Sequence, residues 1–215
     1  MKITHLGHSC VLVETQGTRI LIDPGAFTQG FEELTGLDAV LVTHQHADHL
    51  DVERLPLLLE ANDAARLLTE PETAAELEKA GITAEPLHAG DEVTVGAATV
   101  AGVGGMHAEI DPAIPRIGNV GVLVSGSGEP TFFHPGDAYA TTPEGVDILA
   151  VPLNAPWSKL SETVAFARAV GAGRMIPVHD GLLLPRGRGL YVNQLRNLAP
   201  DSELVDLAEA GPTQF

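Results

Sequence analysis

Hydrophobic and polar positions along this 215-residue chain change period several times. Short apolar or alternating runs near 3–6, 10–15 and 18–23 predict three opening strands, because successive side chains of a strand face opposite sides and one side seeks a core. The segment 27–37, rich in Gly and Glu, predicts a loop. A four-residue apolar run at 39–42 predicts a buried strand leading into His44. A helix is expected over 53–61, a short strand at 66–69 and a second helix over 72–80, with Gly81 as its C-terminal stop. Strands near 93–95 and 97–103 lead toward His107. Strands near 120–125 and 131–134 are joined by the hairpin signal Gly126-Ser127-Gly128, and another strand covers 147–152. Over 159–170 the period becomes helical, with Leu160, Val164, Ala167 and Val170 on one face and Gly171 at the end. A strand then leads to His179, a helix spans 191–198 and a closing strand covers 204–207. Strands in this number, interrupted by helices, predict an α/β (α+β) chain of two sheets covered by outer helices, a four-layer αββα sandwich.

Composition narrows the picture. The length suits a single domain, 1–215, with a substantial core. Hydrophobic residues are 44% and charged residues 19%, which excludes a disordered chain. The single cysteine, Cys10, lies in an apolar run, so no internal disulfide forms and a buried thiol is expected. No basic segment followed by an apolar stretch opens the chain, and no run approaches the ~18 apolar residues of a membrane span. A cytoplasmic protein with no membrane contact is expected. Acidic residues number 29 against 12 Lys and Arg, a formal charge of −17 with no basic stripe. Nucleic-acid binders carry a basic footprint, so DNA and RNA are excluded as partners.

The densest chemistry is the run Thr43-His44-Gln45-His46-Ala47-Asp48-His49. On an extended backbone His44 and His46 share a face and can grip one metal ion together. Asp48 and His49 are adjacent and would diverge on a strand, so the chain must bend there. The bend lets both face a second ion beside the first. Imidazole and carboxylate suit zinc, iron or manganese, with zinc the default for a His-rich set. His107, Asp137 and His179 each lie just past a short apolar run. If those runs are parallel in space, all these residues gather at one edge of the sheets, where active sites commonly form.

The order Asp23, His44-x-His46-x-Asp48-His49, His107, Asp137, His179 resembles the metallo-β-lactamase-fold hydrolase superfamily almost end to end. Ile3-Thr4-His5-Leu6-Gly7-His8-Ser9 and Ile20-Leu21-Ile22-Asp23-Pro24 resemble, more narrowly, its branch of small metal-dependent hydrolases related to ascorbate-6-phosphate lactonases. The resemblance implies that His44, His46 and His107 hold one divalent ion. It implies that Asp48, His49 and His179 hold a second and that Asp137 bridges them. Asp23 would brace the histidine loop through hydrogen bonds. His8 would line the site, and Asp48 would both ligate and orient a metal-bridging hydroxide. The implied activity is binuclear hydrolysis of a small ester, lactone or phosphodiester. Two divalent ions offset by Asp48 and Asp137 leave about +2, so a small anion could bind despite the acidic surface. A homo-oligomer is compatible with this picture.

Other classes are weighed beside this one. A β-lactamase would normally be exported. A flavodiiron-type oxygen reductase typically has Glu at the position of His46 and carries a further domain. A non-catalytic scaffold or binding module stabilised by metal is the alternative function. The segment 108–118, with Arg116, is either a pocket rim or a plain crossover, and 181–189, with Arg186 and Arg188, could line the opening. Trp157 is an apolar wall with a polar handle, and Ser158 is the expected helix cap. His5, His88 and His134 are assigned to structure. Leaving-group protonation could fall to a metal-bound water, His8, Tyr139 or Lys159.

Overall fold

The computed structural model describes residues 1–215. The first half contributes β1 (Lys2–Gly7), β2 (Cys10–Thr15), β3 (Thr18–Ile22), β4 (Ala39–Val42), α1 (Leu55–Glu60), β5 (Arg66–Thr69), α2 (Pro71–Lys79) and β6 (Glu85–Pro86). Then come β7 (Glu92–Val95), β8 (Ala98–Met106), β9 (Gly118–Gly126), β10 (Phe132–His134), β11 (Ile148–Pro152), α3 (Leu160–Val170), β12 (Arg174–Val178), α4 (Pro185–Leu198), β13 (Glu203–Leu204) and β14 (Thr213–Gln214). They form two seven-stranded sheets, ordered β14-β1-β2-β3-β4-β5-β6 and β13-β12-β11-β10-β9-β8-β7.

Three apolar clusters define the layers. Ile20, Ile22, Leu41 and Leu68 of the first sheet meet Val122, Val124, Phe132 and Ile176 of the second in a buried core between them. Leu21, Val40 and Val42 point the other way and pack against Leu55, Leu58 and Leu77 of α1 and α2. Leu149, Val151 and Met175 pack against Val164, Phe166 and Leu195 of α3 and α4. Strands such as β4 are therefore buried on both faces and read as unbroken apolar runs. The αββα sandwich expected from the sequence is the fold observed. No helix is long and apolar enough to cross a membrane.

Two expected elements differ. The helix expected over 191–198 begins at Pro185, so residues 185–189 of the segment 181–189 are helical. Gly187 and Gly189 hide it from propensity, but Arg188 ties its first turns to Asp180 at 2.6 Å and to Asp206 at 2.7 Å. The closing strand 204–207 shrinks to β13, because Asp206 is held by Arg188 and Leu207 turns into the core between the sheets. Short strands β6 and β14 carry too little pattern to be read from sequence.

The ends of β1, β3, β4, β8, β10 and β12 lead into loops carrying His8, Asp23, His44, His107, Asp137 and His179. The two sheets are joined at this edge. The Val120 N–H donates to the Thr43 carbonyl at 2.9 Å, and the His179 N–H to the His8 carbonyl at 2.7 Å.

Candidate metal centre

The loop after β4 is shaped by a close approach. A Cβ on Gly25 would lie 1.8 Å from the Asp48 carbonyl oxygen, so only glycine lets the loop after β3 pass beneath residues 46–49. His49 N–H donates to the His46 carbonyl, which makes the bend the motif requires. His8, Asp23 and His179 all have positive φ, at 52°, 51° and 56°. Such backbone is uncommon for residues other than glycine and tends to collect at functional sites.

The side chains converge in two groups. His44, His46, His107 and Asp137 offer nitrogen or oxygen atoms within 4.8 Å of one another, and so do His8, Asp48, His49 and His179. Asp137 lies between the groups. Its Oδ1 is 3.0 Å from His49 Nε2, and its Oδ2 is 3.2 Å from His179 Nε2 and 3.4 Å from His107 Nε2. All of these are buried except His46 and Asp48, which are partly exposed and face the opening.

Hydrogen bonds settle which ring nitrogens carry protons. His49 Nδ1–H donates to Asp23, His107 Nδ1–H to the Ala108 carbonyl and His179 Nδ1–H to the Asn154 carbonyl, at 2.7, 2.6 and 2.7 Å. The Thr43 hydroxyl donates to Asp23 Oδ2 and so accepts from His44 Nδ1–H at 3.1 Å. Each of these four rings therefore presents Nε2 to the centre. His44 Nε2 lies 3.1 Å from His46 Nδ1. His107 Nε2, His179 Nε2 and Asp137 Oδ1 are buried with no hydrogen-bond partner. Buried polar atoms left unpaired are costly. His107 Nε2 and His179 Nε2 flank the Asp137 carboxylate at 3.4 and 3.2 Å, and such unpaired nitrogen and oxygen atoms among imidazoles fit bound cations.

His8 is wired in the opposite sense. Gly181 N–H donates to its Nδ1 at 3.0 Å, which leaves the proton on Nε2, 3.0 Å from Asp48 Oδ2. His8 thus stands within the second group by position but acts as a donor to Asp48, not as a lone-pair ligand.

The electrostatics agree with a centre awaiting positive charge. Burial opposes charge on His49, but the Asp137 and Asp23 carboxylates outweigh it and raise its pKa well above the usual value. Burial likewise opposes charge on His179, but the Asp137 and Asp48 carboxylates, 3.2 and 3.5 Å from its Nε2, raise it to about 9. Burial lowers His44, with like-charged neighbours adding to the effect. Burial resists ionisation of Asp137, yet the imidazoles around it, His49 foremost, hold it well below the carboxylate range.

All seven proposed ligands, together with Asp23 and His8, are thus brought to one place. Trp157 donates its indole N–H to Asp137 Oδ2 at 2.8 Å, and its ring lies edge-on to His107 and His179. Arg116 turns inward, with Nε and Nη2 on the His107 carbonyl at 2.8 and 2.6 Å. Arg188 is committed to Asp180 and Asp206, so it does not line the opening as a free cation. Arg186 is exposed. Lys159, not Ser158, caps α3, with Glu162 accepting the Lys159 N–H at 2.9 Å, while the Ser158 hydroxyl accepts from Ala155 N–H. Tyr139 donates to the Pro152 carbonyl and meets Thr163, away from any free proton path. His134, with Nε2–H on the Ser9 carbonyl and Nδ1 accepting from Gly136, is structural as expected. Sequence reasoning missed Thr43, Asn154 and Asn119. The Asn119 side chain accepts from the Asp137 N–H and donates to the Pro135 carbonyl, both at 2.9 Å. Thr43 could have been found from its place before the histidines; Asn119 has no motif around it.

Comparison with known proteins bears on the whole arrangement. Residues 2–179 match the family model described as the beta-lactamase superfamily domain, a span that ends on His179 and holds every candidate ligand. Protein Rv0786c of Mycobacterium tuberculosis is 49% identical over 199 residues, 92% of this chain and 92% of that one. A UPF0173 metal-dependent hydrolase of Azorhizobium caulinodans is 31% identical over 213 residues, 88% of this chain and 90% of that one. The fold matches that of Igni18, a metallo hydrolase of Ignicoccus hospitalis, with TM-score 0.74 and 17% identity over 100% of this chain and 98% of the other.

Proposed function

This chain belongs to the beta-lactamase superfamily, and from that premise we propose that it is a metal-dependent hydrolase built around two divalent ions. The observation that carries the proposal is the set of orphaned buried atoms, His107 Nε2, His179 Nε2 and Asp137 Oδ1, within the two side-chain groups. His44, His46 and His107 would hold one ion, Asp48, His49 and His179 the other, and Asp137 both. The donor set favours zinc, with manganese or iron as alternatives. Such a pair supplies a nucleophile at neutral pH and polarises a carbonyl or phosphoryl centre.

The protein's own groups do the rest. Asp23 accepts from the Thr43 N–H, the Thr43 hydroxyl and His49 Nδ1–H, at 2.8, 2.8 and 2.7 Å. It thereby orients His49 directly and His44 through Thr43. Trp157 and Asn119 fix Asp137 from opposite ends of the residue. Asp48 is the one carboxylate of the centre that solvent reaches appreciably, at 23% side-chain exposure, so it can orient a substrate or water. His8 holds that carboxylate and keeps a proton on Nε2 beside it. A small ester, lactone or phosphodiester is the substrate class we assign, within a cytoplasmic setting that suits a single buried cysteine.

A metal-stabilised scaffold is the competing reading. Structural zinc sites are closed and four-coordinate, whereas this centre opens to solvent at His46 and Asp48. The test is elemental mass spectrometry on untagged protein purified without chelators, paired with hydrolysis of nitrophenyl esters and phosphodiesters. About two transition-metal ions per chain and chelator-sensitive turnover are expected. One ion, or none that added zinc, manganese or iron restores, overturns the binuclear centre.

A further inference from the structure

Five of the nine exposed large apolar side chains fall in one region. Phe27, Met106, Ile114, Leu182 and Leu184, 44–80% exposed, all lie at the sheet edge that carries the candidate metal centre. Met106 directly precedes His107, Ile114 lies in the connection that follows it, and Leu182 and Leu184 follow His179. The Phe27 ring centroid is 5.0 Å from that of His8. Single exposed apolar residues need no explanation, but a group of them around one opening does.

One part of this rim touches the centre directly. A cleft of about 20 Å³ is lined by His46 and His107 of the centre and by Ile110, Ile114, Pro115, Arg116 and Ile117. That volume holds roughly one water-sized group, so a longer group starting there would run outward over Ile114. The charges around the cleft disfavour an anionic occupant. The exposed Glu109 and Asp111 share its segment. The one cation lining it, Arg116, has its guanidinium on the His107 carbonyl. With the Glu109 and Asp111 carboxylates against this one cation and a formal charge of −17 on the chain, a phosphorylated tail finds little compensating charge here.

We propose that this cleft is the inner end of a subsite for an uncharged alkyl group of the substrate, so that the preferred substrate is an alkyl-substituted ester or lactone and not a sugar phosphate. The proposal rests on the metal-centred reading and narrows its substrate. The phosphonate or carboxylate end of a ligand would be held at the metal centre, and its alkyl chain would pack against His46, His107 and Ile114.

The test measures binding, not turnover. Alkylphosphonates from methyl to hexyl are titrated calorimetrically into protein loaded with the metal it is purified with. Affinity should rise roughly two- to four-fold for each added methylene, as expected for partly to fully buried CH₂ groups, before levelling off. Ile114→Ser should lower the hexyl-to-methyl affinity ratio, and Ile114→Leu should keep it. Ile114 is 49% exposed, so neither change threatens the core. A flat series, a slope that Ile114→Ser leaves intact, or tighter binding when the alkyl end carries a second phosphate overturns the subsite. Failure of every phosphonate, methyl included, overturns the metal-centred reading together with it.

Discussion

Asp23 Oδ2 accepts the Nδ1–H of His49 at 2.7 Å, and both side chains are fully buried. The same oxygen takes the Thr43 hydroxyl, which in turn accepts from His44. One carboxylate therefore aims imidazoles of both side-chain groups. Changing Asp23 to Asn keeps the volume but replaces one accepting oxygen by a donor that cannot serve His49 and Thr43 together. Metal affinity, measured by competition with a chromophoric chelator, should fall roughly 10–100-fold, the usual effect of losing such an outer partner. An unchanged affinity would show that the imidazoles are aimed by packing alone.

His8 separates position from role. Its Nδ1 accepts from Gly181, so the atom facing Asp48 is protonated and donates. The expected result for His8→Ala is full metal stoichiometry with turnover reduced by about 10²-fold or more, the scale of a positioned proton donor. His46→Ala, by contrast, should lose one ion and nearly all activity. Loss of an ion in His8→Ala would make His8 a ligand.

Trp157 is the only tryptophan and touches Asp137, so it is a built-in reporter. Stripping metal should shift its emission, and reloading should restore it. In Trp157→Phe the edge contact with Tyr139, now at 4.8 Å, can persist while the charge-assisted hydrogen bond is lost. Such bonds contribute about 1.5–3 kcal/mol, so metal affinity should drop by about one to two orders of magnitude. Emission blind to metal would place the indole elsewhere.

Gly25 is required by space and not by backbone angle. Its Cβ would overlap the Asp48 carbonyl at 1.8 Å and the His49 nitrogen at 2.5 Å, which are backbone atoms with little room to yield. Gly25→Ala should destabilise the fold by about 1–3 kcal/mol, the usual cost of overpacking, and weaken metal binding as the His46–His49 bend is pushed away. Thermal unfolding of the metal-free protein reads the first effect separately from the second. An unshifted midpoint would contradict the close approach.

The layers and the ligand set were legible because each leaves a local trace. Val40 and Val42 alternate with Ala39 and Leu41 in a run buried on both sides, and the histidines follow it at once. Asn119 leaves none, and Trp157 suggests a pocket wall but not its partner, since their meaning lies in contacts with Asp137 across 18 and 20 residues. The start of α4 was hidden for a related reason. Its sequence, with Gly187 and Gly189, disfavours a helix, and distant partners of Arg188 at Asp180 and Asp206 hold it. Positive φ at His8, Asp23 and His179 is likewise imposed by tertiary contacts that only the folded chain makes.

Metal uptake should depend on pH with a defined sign. In the metal-free centre, carboxylates outweigh burial to keep His49 protonated well above the usual imidazole range, and His179 up to about 9. Both nitrogens facing the centre must lose those protons to bind a cation. Affinity should therefore rise with pH, by up to about tenfold per unit for each proton displaced, and the His179 contribution should cease above about 9. The same charges stabilise the metal-free fold fully below the unfolded imidazole value, and the His179 part is lost as pH rises through about 9. Zinc titrations near neutral pH in buffers of different ionisation enthalpy count the protons released. Release of close to two protons as the centre fills is the expected outcome. Release of none, with affinity flat across that range, would mean that the two imidazoles are already neutral and that the carboxylates do not govern this centre.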